Sequence, residues 1–167
     1  VIHLIEMPLK PLTGLAVDVG STKLASYLVD LESEKTLAAL GAPNPQIAYG
    51  EDIMARLSYA LQGQEEAFNL HSMLIEAVNN SSEEMCAGIG ISPQSITEVC
   101  LVGNTAMHHF YLNLPVSSLS VSPFVPVTDD PLDIHASDIG ITAMPGSYAF
   151  IPPVIAGFVG SDHLAFL

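Results

Sequence analysis

The fold is decided by one stretch, Gly14-Leu15-Ala16-Val17-Asp18-Val19-Gly20-Ser21-Thr22-Lys23-Leu24. Residues 15–19 are apolar except for Asp18, and the run stops at Gly20. That pattern reads as a buried strand delivered into a turn. A second apolar run occupies residues 24–29, residues 30–35 form a polar turn, and residues 36–40 supply a short third strand. Three strands joined by tight turns predict an antiparallel meander, with Ser21-Thr22-Lys23 as its first turn.

Outward from the meander the period changes. Pro43-Asn44-Pro45-Gln46 breaks the strand pattern, and residues 52–61 place Ile53, Leu57, Ala60 and Leu61 at helical spacing before Gly63. A longer helix is predicted over residues 65–87, carrying Phe68, Leu70, Met73, Leu74, Ala77, Val78 and Met85 and closed by Gly88 and Gly90. Residues 96–102 read as a buried strand, and Asn104 can cap a helix over residues 105–112. Residues 115–131 are proline-rich without a strong period and read as an ordered loop. Short strands are expected near residues 134–141 and 148–151, and residues 155–167 read as a Gly-rich turn entering a helix. The order predicts a mixed α/β fold with one sheet covered by helices.

The 167 residues, 49% of them hydrophobic, suffice for one domain with a sizeable core. No apolar run reaches the ~18 residues that a membrane span needs, and the N-terminal residues lack a charged segment leading into an apolar one, so no secretory signal is expected. Both ends look like cuts: no Met begins the chain, and it stops in an apolar stretch. Against 18 Asp and Glu stand Lys10, Lys23, Lys35 and Arg56, giving a net charge of −14. Such a chain repels nucleic acid and anionic membranes, which need basic clusters, and suits a cytoplasmic setting. An anionic ligand must then be held mainly by backbone N–H groups and a metal. Cys86 and Cys100 have no CxxC spacing and read as inert core residues. His108 and His109 are adjacent on a helix and cannot share a metal, and His3, His71, His135 and His163 have no partner at ligand spacing.

Three stretches could carry chemistry. Asp18 ends a buried strand, Gly20 lets the backbone approach a ligand, and Ser21, Thr22 and Lys23 add two hydroxyls and an ammonium. That is a kit for phosphate contacts with a metal–water bridge to Asp18, although the same string also makes ordinary hairpins. Gly103-Asn104-Thr105 follows a buried strand and opens a helix, a place where ligands gather in α/β sheets; Asn104 or Thr105 may equally be read as a plain cap. Gly157, Gly160 and Asp162 lead into the last predicted helix, where tight packing and a cap are the alternative reading.

The stretch from Gly14 to Leu24 resembles the first phosphate loop of the acetate and sugar kinase, heat-shock chaperone and actin superfamily. Three further stretches narrow the resemblance: Asn44-Pro-Gln-Ile-Ala-Tyr-Gly-Glu-Asp-Ile-Met-Ala-Arg-Leu, Leu101-Val-Gly-Asn-Thr-Ala-Met-His-His, and Pro152-Pro-Val-Ile-Ala-Gly-Phe-Val-Gly-Ser-Asp-His. Together, in this order, they are similar to the ATPase domain of the reductive activators of corrinoid proteins, with residues 13–167 as its N-terminal, ribonuclease-H-like lobe and residues 1–12 as a linker from an upstream domain. The resemblance implies an enzyme that uses ATP to drive electrons from a [2Fe-2S] domain, absent here, into an inactive Co(II) corrinoid, giving Co(I). It further implies that Asp18 positions a magnesium-bound water, that Gly20, Ser21, Thr22 and Lys23 hold phosphates, and that Gly103, Asn104 and Thr105 line the cleft. Gly157, Gly160 and Asp162 would then belong to the segment leading to a second lobe. Expected partners are a corrinoid protein of a methyltransferase system, the second lobe and the ferredoxin-like domain, with a tendency to form homodimers.

Two other readings fit the same residues. A small-molecule kinase of the superfamily would carry a second lobe but no upstream iron–sulfur cysteines. A docking module without catalysis would keep its partner when Asp18 is substituted.

Overall fold

The computed structural model describes residues 12–157 and 159–162. Alternation of side chains sets up two unlike faces of its sheet. In β1 (Thr13–Val19), Leu15, Val17 and Val19 are buried in the core, while Ala16 and Asp18 turn to the other face. β2 (Lys23–Asp30) repeats this with Leu24, Ser26 and Leu28 against Ala25 and Tyr27. β1 and β2 pair antiparallel with Val19 opposite Leu24, and β3 (Lys35–Pro43) completes the expected meander.

The chain then leaves the sheet. Residues Pro45–Tyr49 form a single 3-10 turn capped by the Asn44 side chain, which accepts from the Gln46 N–H. Asp52 caps α1 (Ile53–Ala60) by accepting from the Ala55 N–H. α2 (Gln64–Ile89) buries Leu70, Leu74, Ile75, Val78, Met85 and Cys86 as one stripe across β2 and β3. It runs through Gly88, which does not end it; Gly90, at φ 75°, is the left-handed residue that stops it. Phe68 lies off this stripe, 56% exposed.

β4 (Ile96–Gly103) returns beside β1 in parallel, pairing Val102 with Asp18 and Gly103 with Val19. α3 (Thr105–Tyr111) packs on β4, and all seven of its residues are buried. β5 (Leu132–His135) and β6 (Tyr148–Ile151) finish the sheet, in the order β3-β2-β1-β4-β6-β5. β6 is parallel to β4, and β5 is an antiparallel edge. Three antiparallel strands followed by parallel ones form the expected mixed sheet of the actin-like lobe. The described helices contribute a continuous core with Leu15, Val17, Leu28, Leu101 and Ile151.

One strand expectation needs correction. The strand expected over residues 134–141 ends at His135, because Ala136–Ile139 forms a 3-10 turn closed by Gly140 at φ 82°. Asn79 on α2 donates to the Gly140 carbonyl at 2.9 Å and accepts from the Thr142 N–H at 2.9 Å, so the chain is drawn to the helix and away from the sheet. A turn stands where the Gly-rich turn was expected to begin, at Ile155. The Ile155 and Ala156 N–H groups both donate to the Val159 carbonyl, at 2.8 and 3.0 Å, which closes a turn. The helix that this turn was expected to enter, and the linker expected over residues 1–12 except for Leu12, lie outside the described residues.

Candidate functional site

Asp18 and Val102 are register partners on adjacent parallel strands, so the C-terminal ends of β1 and β4 lie side by side. Their non-core side chains form the floor of a cavity of about 260 Å³ lined by Ala16, Asp18, Tyr27, Cys100, Val102 and Asp162. Two carboxylates therefore face one small, mostly apolar space. Burial pushes the Asp18 pKa above the ordinary carboxylate value, and the negative charge of Asp162 pushes it the same way. A larger cavity of about 660 Å³ sits at the α1–α2 turn, but its lining, which includes Leu61, Phe68 and Pro115, contains no ionisable side chain. Two carboxylates at the C-terminal ends of parallel strands, where ligands gather in α/β sheets, make the smaller one the candidate site.

The turn that follows Asp18 is tight. A Cβ on Gly20 would stand 2.6 Å from the Lys23 carbonyl oxygen, so only glycine fits. Thr22 and Lys23 are exposed and Ser21 is half-buried, and their side chains make no hydrogen bond with any described residue. The hydroxyls and the ammonium are thus free for a ligand at the end of β1.

Asp162 reaches the site through a seam between two distant segments. A Cβ on Gly160 would lie 2.1 Å from the Gly103 carbonyl oxygen and 2.5 Å from the Asn104 Cα. The Ser161 hydroxyl accepts from the Gly103 N–H at 3.2 Å and donates to the Gly103 carbonyl at 3.3 Å. The Thr105 hydroxyl donates to the Ala156 carbonyl. Gly103, Thr105, Gly160 and Asp162 are therefore brought together. Asn104 is the α3 cap: its side chain accepts from the Ala106 and Met107 N–H groups at 3.1 and 3.0 Å. Those two donors are accordingly not available to an anion. Gly157 stands apart, packed under the Phe124 carbonyl of the proline-rich loop at a distance no Cβ could share.

His108 and His109 behave as structure. His109 Nε2 accepts from the Val127 N–H at 3.0 Å, which leaves Nδ1 as the donor to the Thr105 carbonyl at 2.8 Å. This neutral tautomer ties the loop to α3. His108 is fully buried beside Tyr111, and burial first, then His109, holds its pKa down to about 4. Among the described residues no group of three His, Cys, Asp or Glu could hold a metal ion. No described helix is long and apolar enough to cross a membrane. Sequence reasoning placed Cys100 in the core; it lies half-buried in the cavity wall instead, which its position two residues before Val102 on the same strand would have signalled.

A family model described as the RACo middle region matches residues 13–167. The chain belongs to that family. Among relatives of this RACo middle region is the corrinoid activation enzyme RamQ of Eubacterium limosum, 30% identical over 158 residues, which cover 95% of this chain and 27% of RamQ. Another is the [Co(II) methylated amine-specific corrinoid protein] reductase of Methanosarcina barkeri, 24% identical over 166 residues, covering 92% of this chain and 29% of that protein. A solved reductive activator for corrinoid, iron-sulfur protein superposes with a TM-score of 0.90 at 28% identity, over 94% of this chain and 25% of that one. The chain thus spans about a quarter of the length of the proteins it matches.

Proposed function

We propose that this chain is the first, phosphate-binding lobe of an ATP-dependent reductive activator of a corrinoid protein, working in the cytoplasm. The observation that carries the reading is the pair Asp18 and Asp162 facing one cavity beside the Gly20–Lys23 turn. The names of the relatives support the corrinoid partner, and the extra length of those relatives leaves room for a second lobe and an electron-donating [2Fe-2S] domain.

The residues present fit magnesium and ATP. Two carboxylates in a partly dry cavity repel each other, and a divalent cation relieves that repulsion. Bound ATP supplies the free energy of its phosphoanhydride bond, and Mg²⁺ screens the phosphate charge. Asp18 would orient a magnesium-bound water by accepting its hydrogen bond. Ser21 and Thr22 donate hydroxyls to phosphate oxygens, and the turn's N–H groups do the same. Lys23 contributes positive charge that the described lining of the cavity otherwise lacks. Gly103, Asn104 and Thr105 shape the cleft wall with their backbone, and Gly160 and Asp162 close it, carrying the chain onward toward the second lobe; Gly157 anchors the same segment. In the full-length protein an iron–sulfur domain would supply the one electron that turns Co(II) into Co(I), and ATP held by this lobe and the second one would supply the driving free energy.

The test is ATP-dependent formation of Co(I), followed by its absorption, with the full-length protein, a corrinoid protein and a reductant. Asp18→Asn should abolish the ATP-dependent signal while leaving corrinoid-protein binding in place. Equal Co(I) yield from the variant would remove Asp18 from the mechanism, and with it this reading.

A further inference from the structure

Asn44 is a polar side chain buried to 1% exposure, and it touches the Gly20–Lys23 turn twice. Its Nδ2 donates to the Gly20 carbonyl at 2.9 Å, and its backbone N–H donates to the Thr22 carbonyl at 2.9 Å. The second bond extends the β2–β3 ladder by one rung beyond the Lys23–Pro43 pair, up to the tip of the turn. The same Nδ2 lies 3.5 Å from Met107 Sδ on α3, three residues past Asn104. Oδ1 is spent on the Gln46 N–H at 2.9 Å, which fixes the orientation of the amide. One side chain therefore reaches both segments that flank the cavity.

We infer that Asn44 is a positioning residue for phosphate binding: it clamps the carbonyls of the turn from behind, so that Ser21, Thr22 and Lys23 keep their donors pointed outward. The inference rests on the nucleotide reading above. Its physical basis is that, among the described residues, the turn has no other side-chain anchor of this kind. Gly20 and Thr22 turn their carbonyls inward to Asn44, and the side chains of Ser21, Thr22 and Lys23 bond to no described residue. A turn whose carbonyls are tied down presents N–H groups and hydroxyls to an anion; released, it can rotate a carbonyl toward the phosphate and repel it. Binding then loses the preorganisation that makes such donors effective.

Asn44→Asp isolates this role. The carboxylate keeps the Gln46 N–H bond, but its second oxygen faces the Gly20 carbonyl with no hydrogen between them. When protonated, the acid can again donate. The groups that bond to Asn44 are backbone carbonyls, a backbone N–H and a thioether, none of which titrates; Asp18 and Asp162 stand in wild type and variants alike, so a rescue read relative to wild type belongs to the new acid. Asn44→Ser, too short to reach Gly20 and uncharged, gives the same loss without the rescue. Gln46→Leu is the control, since Gln46 is equally buried and donates to the Leu70 carbonyl, away from the turn.

The experiment is a Mg-ATP titration of the full-length protein and these variants at pH 8 and pH 6. Relative to wild type, Asn44→Asp should bind at least ~10-fold more weakly at pH 8 and recover to within ~3-fold at pH 6. Asn44→Ser should be weak at both, and Gln46→Leu should match wild type at both. Equal weakening by Asn44→Ser and Gln46→Leu, or wild-type affinity of Asn44→Asp at pH 8, overturns the inference and leaves the nucleotide reading standing. A wild-type protein that binds no Mg-ATP overturns the nucleotide reading itself.

Discussion

Gly160→Ala should peel the Asp162 segment off β4. The new Cβ would stand 2.1 Å from the Gly103 carbonyl oxygen and 2.7 Å from the Asn104 carbonyl carbon, all of it backbone that cannot rotate away. Recovering an ordinary contact of about 3.5 Å requires a shift of about 1.4 Å. The Ser161–Gly103 hydrogen bonds start at 3.2 and 3.3 Å, so a shift of that size breaks both. Each is worth about 1 kcal/mol, so the loss is at least ~2 kcal/mol, with strain adding more until the segment detaches. Gly88→Ala is the matched control. A Cβ there meets nothing within 4 Å, and alanine inside a helix gains about 0.5–1 kcal/mol over glycine. The chain contains no Trp, so urea unfolding followed by far-UV circular dichroism is the assay. The two alanine variants should move the midpoint in opposite directions. A Gly160→Ala midpoint equal to wild type would refute the close approach, and with it the route by which Asp162 reaches Asp18.

Three further outcomes follow from the same geometry. Asp18 has a raised pKa in the folded chain, so its ionised form disfavours folding: stability falls as pH rises from the unfolded value of 3.8 through the folded one. Asp18→Asn should therefore melt higher than wild type at pH 7, and the gap should close in acid below pH 4. His108 has the opposite sign. Its pKa of about 4 lies below the ordinary 6.5, so stability is lost as pH falls from 6.5 toward 4; at about 1.4 kcal/mol per unit this is roughly 3 kcal/mol, and His108→Phe should remove that acid sensitivity in urea melts. Asn104→Ala strips the cap from α3 and should cost about 1 kcal/mol in the same assay, with Asn104→Asp nearly neutral.

The meander, the two long helical patterns and the central parallel strand were legible because each is a local periodicity. Asp18 and its turn were legible for the same reason, since strand end, glycine and hydroxyls are contiguous. What failed to show depends on contacts between distant segments. Nothing local says that α2's Asn79 will stop β5 at His135, or that Asp162 will share a cavity with Asp18. Arg56 is hidden in the same way. It looks like a surface charge on α1, yet it is fully buried, its Nε donating to the Gly50 carbonyl at 2.9 Å, and burial lowers its pKa. Phe68 errs in the other direction: it fits the helical period but sits where α2 has no sheet beneath it. Asn44 was legible as a break in the strand pattern and as part of a family stretch, but not as a clamp, because a strand-ending Asn-Pro reads as a loop whether or not its amide reaches a functional turn.

The most direct test of the central claim is equilibrium binding of ATP to the full-length protein, with Mg²⁺ and with the metal chelated, for wild type and Asp18→Asn. The cavity chemistry predicts binding that requires Mg²⁺ in wild type and falls at least ~10-fold in a variant that remains folded. Binding that ignores the metal, or survives Asp18→Asn unchanged, would contradict it.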